Sequence, residues 1–287
     1  LIFAGVLVLG YHLLTIPFSI YETFVIEERY GFNRTTARTF LLDILKGWLL
    51  AAVLGGIMLS AVLWFFHKTG DWAWLYCWLA FLGFQAFLLF VAPVTILPLF
   101  NKFSPLEDEE LKDAIEQYAR SQGFKMKGVF SMDGSRRSTK STAFFTGFGK
   151  FRRIVLFDTL IERLSVSELV SILAHEMGHY KKKHVAKSFA VSAANAALMF
   201  LILSLFINNR QLFDAFGMER LSIYASLVFF GFLYVPIETL LSVGGNAISR
   251  KHEYEADFFS ARTYKKPESL IQALKKLTVD HLSNLSP

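Results

Sequence analysis

Five apolar stretches, each about as long as a bilayer's hydrocarbon core is thick, constrain this chain more than any other feature. A helix needs about 20 apolar residues to cross that core, because it rises about 1.5 Å per residue. The stretches lie at residues 1–20, 44–66, 72–100, 186–207 and 221–243. Pro93 and Pro98 interrupt the end of the third, and Pro236 is expected to kink the fifth. The competing reading is a set of helices buried in a large soluble core. Composition argues against it: 53% of the 287 residues are hydrophobic and the mean hydropathy is +0.40, too apolar for a soluble domain of this size.

Charge gives the orientation. The formal net charge is +6, but the cations gather beside the apolar spans rather than along a nucleic-acid-binding stripe. The expected partner is a lipid bilayer, with no nucleic acid. Residues 102–187 carry Arg136, Arg137, Arg152, Arg153 and Lys181 to Lys183, while the turns near 67–71 and 208–220 are poorer in Lys and Arg. Alternating spans put residues 102–187 and 244–287 on one side, and the positive-inside rule makes that side the cytoplasm. A multi-pass protein of a bacterial inner membrane or the endoplasmic reticulum is expected. Cys77 is the only cysteine, so no internal disulfide and no thiolate metal cage can form. The chain opens on Leu1 inside an apolar run, and truncation at both ends is expected.

Four regions follow. Residues 1–100 hold three spans, 101–185 a cytoplasmic catalytic region, 186–243 two further spans, and 244–287 a cytoplasmic tail. The catalytic region reads as a small α+β domain. "DEELKDAIEQYARSQG" has helical periodicity and a Gly stop. "GVFSMDGSRR" reads as a strand entering a turn, and "TAFFTGFGKFRRIVLFDTL" as two strands around a Gly-rich turn. Ser165 and Glu168 have the spacing of a capping box, which starts a helix. Nothing in the sequence stops that helix before residue 208, so one long helix, straight or kinked, is expected from the cytoplasm into the bilayer.

That helix carries "HEMGH". His175 and His179 are four apart, so both imidazoles project from one face and can share a zinc ion. Glu176, next to the first ligand, can take a proton from the attacking water and pass it to a leaving amine. A third ligand has two sources. His184 lies five residues further on, but it follows three lysines and lacks the Gly-bearing extension seen in metzincins, which favours a supporting or interfacial role. The alternative is "NAISRKHEYEAD", where Asn246, Arg250, Glu253 and Asp257 share a helical face. Glu253 can complete a His2Glu site and leave a position for water. Asp257 can hold a ligand histidine's tautomer. His252 and Glu255 are expected to point elsewhere.

Together, "HEMGH" and "NAISRKHEYEAD" resemble the integral-membrane zinc endoproteases of the CAAX prenyl protease 1 type. Their pattern is H-E-x-x-H followed by N-x-x-S-R-x-x-E-x-x-A-D, and Asn246, Ser249, Arg250, Glu253, Ala256 and Asp257 all match it. "ETFVIEERYGFNRTT" and "RRIVLFDTLI" are similar to further family segments. The resemblance implies an all-α membrane helical barrel around a chamber, with the inserted α+β metalloprotease domain at its cytoplasmic end. It implies one Zn2+ per chain on His175, His179 and Glu253, with Glu176 as general base and Asp257, Asn246 and Arg250 in support. The implied substrates are peptides or proteins ending in a prenylated CAAX segment, or similar membrane-associated tails, from which the last three residues are cut. A general quality-control zinc protease for membrane proteins is the alternative. The family's Asn-Ala-aromatic substrate strand reads Thr142-Ala143-Phe144 here, and a Thr hydroxyl offers fewer hydrogen-bonding atoms than an Asn amide. The strand at 143–147 has two readings, an edge that holds an extended peptide by β-addition and a plain structural hairpin.

Overall fold

In a computed structural model, the described residues are 2–140, 142–146, 152–207, 209–219 and 223–280. The apolar stretches form long helices. Helix α1 is Ile2–Tyr21, continued by a π-helical turn at Glu22–Glu27. Helices α2, Ala37–Leu50, and α3, Gly56–Lys68, are joined by another π-helical turn. Helix α4 is Ala73–Thr95, and the short α5, Leu97–Phe100, follows the break expected near Pro93 and Pro98. Among the described residues, five segments are long and apolar enough to cross a membrane, and at most 17% of the most apolar window in each is buried. Helices of a soluble core would be mostly covered, so that reading fails.

The chain divides into two compact units. One holds residues 1–15, 44–87 and 186–250. Its interior is apolar and aromatic: Val62, Phe66, Cys77, Phe200, Leu203 and Phe230 are buried together. Some polar groups there are paired, as a low-dielectric setting favours, while Gln85 Oε1 and Ser226 Oγ are buried without a hydrogen-bond partner. The Trp78 indole N–H donates to the Ala193 carbonyl at 2.9 Å, and Gln85 Nε2 donates to Ser192 Oγ at 2.6 Å.

The other unit holds residues 16–43, 88–185 and 251–287. Its sheet has the order β1-β2-β4-β3, from β1 Phe103–Pro105, β2 Gly128–Met132, β3 Ala143–Thr146 and β4 Arg153–Phe157. Strands β2 and β4 are parallel, and the outer two pair antiparallel. The parallel pair requires a crossover, which local strand signals do not reveal. Helix α6 is Glu109–Ser121, capped by Asp108 Oδ1, which accepts from Leu111 N at 2.9 Å. Helix α7 is Asp158–Arg163. It takes up "DTL", which the sequence places at a strand end. Helix α8 is Val166–Lys181, α9 His184–Phe206, α10 Arg210–Ala215, α11 Ile223–Tyr264 and α12 Pro267–Asp280. The core joins α6 (Leu111, Ile115), the sheet (Ile154, Leu156), α8 (Leu169, Leu173, Met177) and α12 (Leu270, Ala273). Arg137 ties in the N-terminal segment of this unit: its guanidinium donates to both Asp43 oxygens, Asn101 Oδ1 and the Phe100 carbonyl.

Two expectations change. The expected single helix from 165 to 208 is broken at Lys182–Lys183, where Lys183 takes the left-handed conformation, φ 57°. No Gly or Pro marks the break, so the sequence conceals it. The boundary expected at 243/244 falls inside α11, which runs for 42 residues through Pro236 and "NAISRKHEYEAD".

Candidate metal centre

Helix α8 starts at the foreseen capping box: Ser165 N donates to Glu168 Oε2 at 2.8 Å. Glu168 is buried and accepts from Lys276 Nζ of α12 at 2.8 Å. Burial alone would raise its pKa. The Lys276 ammonium and the Ser165 bonds outweigh that effect and hold it below the usual carboxylate range. The helix is therefore anchored at its first turn, before the histidines.

Two turns later His175 and His179 project from one face. Their Nε2 atoms are 3.1 Å apart, and Glu253 Oε2 of α11 lies 3.3 Å from the first and 3.6 Å from the second. Tetrahedral ligands bound at about 2.0–2.1 Å stand about 3.3–3.4 Å apart, so these three atoms fit the edges of one such site. Asp257 Oδ1 lies 2.7 Å from His175 Nδ1. An ionised carboxylate only accepts, so Nδ1 carries the proton and the Nε2 lone pair turns inward. Lone pairs converging with a carboxylate oxygen repel one another unless a cation sits among them. The donor set thus fits a divalent metal ion, and His175, His179 and Glu253 can hold one.

Burial and charge work against each other here. Burial disfavours the charged form of His175, but Asp257, Glu176 and Glu253 outweigh it and raise its pKa. Burial lowers that of His179 against the pull of Glu253, and raises that of Glu176 with help from Glu253.

Why do α8 and α11 come this close? A Cβ on Gly178 would stand 2.9 Å from Ala256 Cα. The Gly of "HEMGH" and the Ala of "EAD" remove side-chain bulk where the helices touch. Ser260 Oγ also donates to the Ser171 carbonyl at 2.9 Å, closing the seam from the other end.

The structure gathers some expected residues and not others. Asn246 and Arg250 are exposed on α11, two turns and one turn before Glu253. Thr142 is exposed, and its carbonyl accepts from Phe157 N at 3.1 Å, which sets the register of β3. Ala143 is buried and Phe144 packs edge-on against Phe157. Strand β3 is at the sheet edge and packs against α8; among the described residues no strand pairs with its outer side. Residue 147, the end of the expected peptide-binding strand, lies outside the described residues. His252 and Glu255 do not point elsewhere: both meet His184, which contacts His179 from behind. His184 presents its Nδ1 to His179 Nδ1, on the far side of that ring from Glu253, so it is not a third ligand of the same ion.

Residues 105–285 match the family model described as Peptidase family M48, and residues 1–102 match the one described as CAAX prenyl protease N-terminal, five membrane helices. The chain belongs to peptidase family M48, which implies a metal cofactor, and it is a multi-pass membrane protein. Among its relatives is the CAAX prenyl protease 1 homolog of Arabidopsis thaliana, 39% identical over 94% of this chain and 64% of that protein. CAAX prenyl protease 1 of Saccharomyces cerevisiae is 35% identical over 100% of this chain and 66% of its own length. The chain thus spans just under two thirds of these relatives. The crystal structure of S. mikatae Ste24p superposes with a TM-score of 0.93 at 34% identity, covering 99% of this chain and 70% of that one. The fold, membrane helices bearing a small inserted α+β unit, is that of a solved relative.

Proposed function

We propose that this chain carries the catalytic core of a membrane-embedded zinc endopeptidase that cleaves the C-terminal segment of prenylated, CAAX-type substrates. The observation that carries this reading is the set of three ligating atoms, spaced 3.1, 3.3 and 3.6 Å, in a chain whose relatives are named CAAX prenyl proteases. One Zn2+ is held by His175, His179 and Glu253. When bound, zinc polarises the scissile carbonyl and makes the attacking water more acidic. Glu176 takes that water's proton and delivers it to the leaving amine. Asp257 holds His175 in its ligating tautomer. The open edge of β3 aligns the substrate backbone by β-addition, with Thr142, Ala143 and Phe144 beside it. Asn246 and Arg250 precede Glu253 on the same helix and are exposed, and a supporting part is assigned to them on the motif alone. The cations of residues 102–187 support a cytoplasmic site, in the endoplasmic reticulum or a bacterial inner membrane.

The test uses purified full-length protein. Elemental analysis is expected to find one zinc per chain, lost in His175→Ala and in Glu253→Ala. A prenylated CAAX peptide is expected to be cut three residues from its end, and faster than its unprenylated counterpart. Full zinc retention in both variants refutes the ligand set. Cleavage of unfolded membrane proteins with indifference to the prenylated peptide points to quality control instead.

A further inference from the structure

The side of His179 away from Glu253 is as ordered as the ligand side. His179 Nδ1 is 3.0 Å from His184 Nδ1, and His184 Nε2 is 3.0 Å from Glu255 Oε2. The His184 ring is 3% exposed and lies flat on His252, with centroids 4.0 Å apart and planes 10° apart. Protons in this chain can be placed from one end. The Glu255 carboxylate only accepts, so His184 Nε2 donates to it. In the His184 tautomer that carries its proton on Nε2, Nδ1 is the acceptor, and His179 Nδ1 supplies the proton between them. That leaves His179 Nε2 as a lone pair facing His175 and Glu253.

The backbone is bent to allow this. In an unbroken helix, a residue five positions after His179 would stand about 140° around the axis and could not return to it. The left-handed Lys183 breaks the helix and restarts it at His184, which brings that ring back to His179. A lysine in this conformation is strained, and no glycine is used to relieve it.

We infer that Glu255 and His184, stacked on His252, form a directed hydrogen-bond relay that fixes His179 in its Nε2-ligating tautomer. His184 and Glu255 are thus positioning residues of the metal centre. His175 is held by one direct carboxylate, Asp257, and His179 by a carboxylate one imidazole removed. This inference rests on His179 being a metal ligand.

The test is the zinc dissociation constant of the full-length protein, measured by competition with a chelator. His184→Phe keeps a ring over His252 but offers no acceptor, and Glu255→Ala removes the end of the relay. Each is expected to weaken zinc binding about 10- to 100-fold, the usual cost of losing a group behind a ligand histidine. His184→Gln supplies a carbonyl oxygen for the His179 N–H and is expected to bind zinc more tightly than His184→Phe. In the double variant, Glu255→Ala should add little to His184→Phe, because the relay is already cut. Heat unfolding in excess chelator separates a loss of fold from a loss of affinity; if His184→Phe does not fold, Glu255→Ala against Glu255→Gln decides. Wild-type affinity in Glu255→Ala, or His184→Gln binding no better than His184→Phe, overturns the relay. Equal zinc binding by wild type and His175→Ala would instead overturn the ligand assignment beneath it.

Discussion

Gly178→Ala adds one methyl group at the seam that assembles the metal centre. The new Cβ would stand 2.9 Å from Ala256 Cα, 3.1 Å from Ala256 O and 3.2 Å from Phe259 Cβ. Carbon atoms prefer about 3.5–4.0 Å, so α8 and α11 must part locally by about 0.6–1.1 Å. Two of the obstacles are backbone atoms, which no rotamer change can move aside. Overpacking of this kind costs about 1–3 kcal/mol, while replacing a helical Gly by Ala returns about 0.8–1.0 kcal/mol. The net loss of stability is therefore modest, at about 0–2 kcal/mol. The site is less forgiving, because Glu253 and Asp257 flank Ala256 and metal–ligand distances tolerate only about 0.2 Å. The expected result is a folded protein with weakened zinc binding and turnover down about a hundredfold, the usual effect of a 1 Å misplacement. Chelator competition and peptide cleavage measure both, and heat unfolding in excess chelator checks the fold. Gly231→Ala is the control, since its Cβ would meet nothing within 4 Å. Unchanged zinc affinity and turnover in Gly178→Ala would refute the claim that this contact sets the ligand spacing.

Glu176→Gln keeps the shape but removes the base, so it should retain zinc while turnover falls about a hundredfold or more; near-normal turnover would send the proton elsewhere. Glu168 has a depressed pKa in the fold, so its stabilisation is full above the unfolded carboxylate range near pH ~4.3 and is lost as pH falls through the folded value. Lys276→Met removes the chief partner and should shift the acid transition of unfolding upward, at a cost of about 1 kcal/mol at neutral pH because Lys276 is half-exposed; an unmoved transition would show the pair to be idle. Cysteines at Lys125 and Lys275 in a Cys77→Ser background should both be labelled from the cytoplasmic face, and labelling from opposite faces would refute the span count.

The sequence made the membrane helices legible because hydropathy over twenty residues is a long-range average that one residue cannot spoil. The α8 start was legible for the opposite reason: Ser165 and Glu168 act on each other three residues apart, so the signal is wholly local. The His175–His179 pair needs only helical periodicity. Glu253 lies 74 positions after His179, a distance over which spacing could rank a ligand but not settle it; the structure brings the three atoms together. A supporting role for His184 was legible, but the Lys183 break and the partners Glu255 and His252 stayed hidden. Lysine carries no helix-stop signal, and Glu255 and His252 lie off the Glu253 face by simple periodicity. They come together because α9 restarts with a new phase, which no local pattern encodes. The sheet order also escaped, because parallel pairing of β2 with β4 depends on how the chain crosses over rather than on either strand's own residues.

One compact unit supplies the groups of the candidate metal centre: His175, Glu176 and His179 from α8, His184 from the first residue of α9, and His252, Glu253, Glu255 and Asp257 from the C-terminal part of α11. That unit has its own closed core and a first turn fixed by the Glu168–Lys276 pair. Ligand placement therefore follows from packing inside this unit, with no part assigned to the spans. Yet the chain leaves the site by two helices that both run on into the apolar unit, α9 two residues after His184 and α11 before Glu253. Separating these tasks has a physical logic. Metal ligation tolerates shifts of only tenths of an ångström, whereas helices held mainly by dispersion and a few polar contacts, such as Gln85 to Ser192, can adjust to the lipid around them. The left-handed Lys183 ends α8 and lets α9 begin at His184, so the strain, about 1–2 kcal/mol for such a residue, falls within the unit that holds the metal centre.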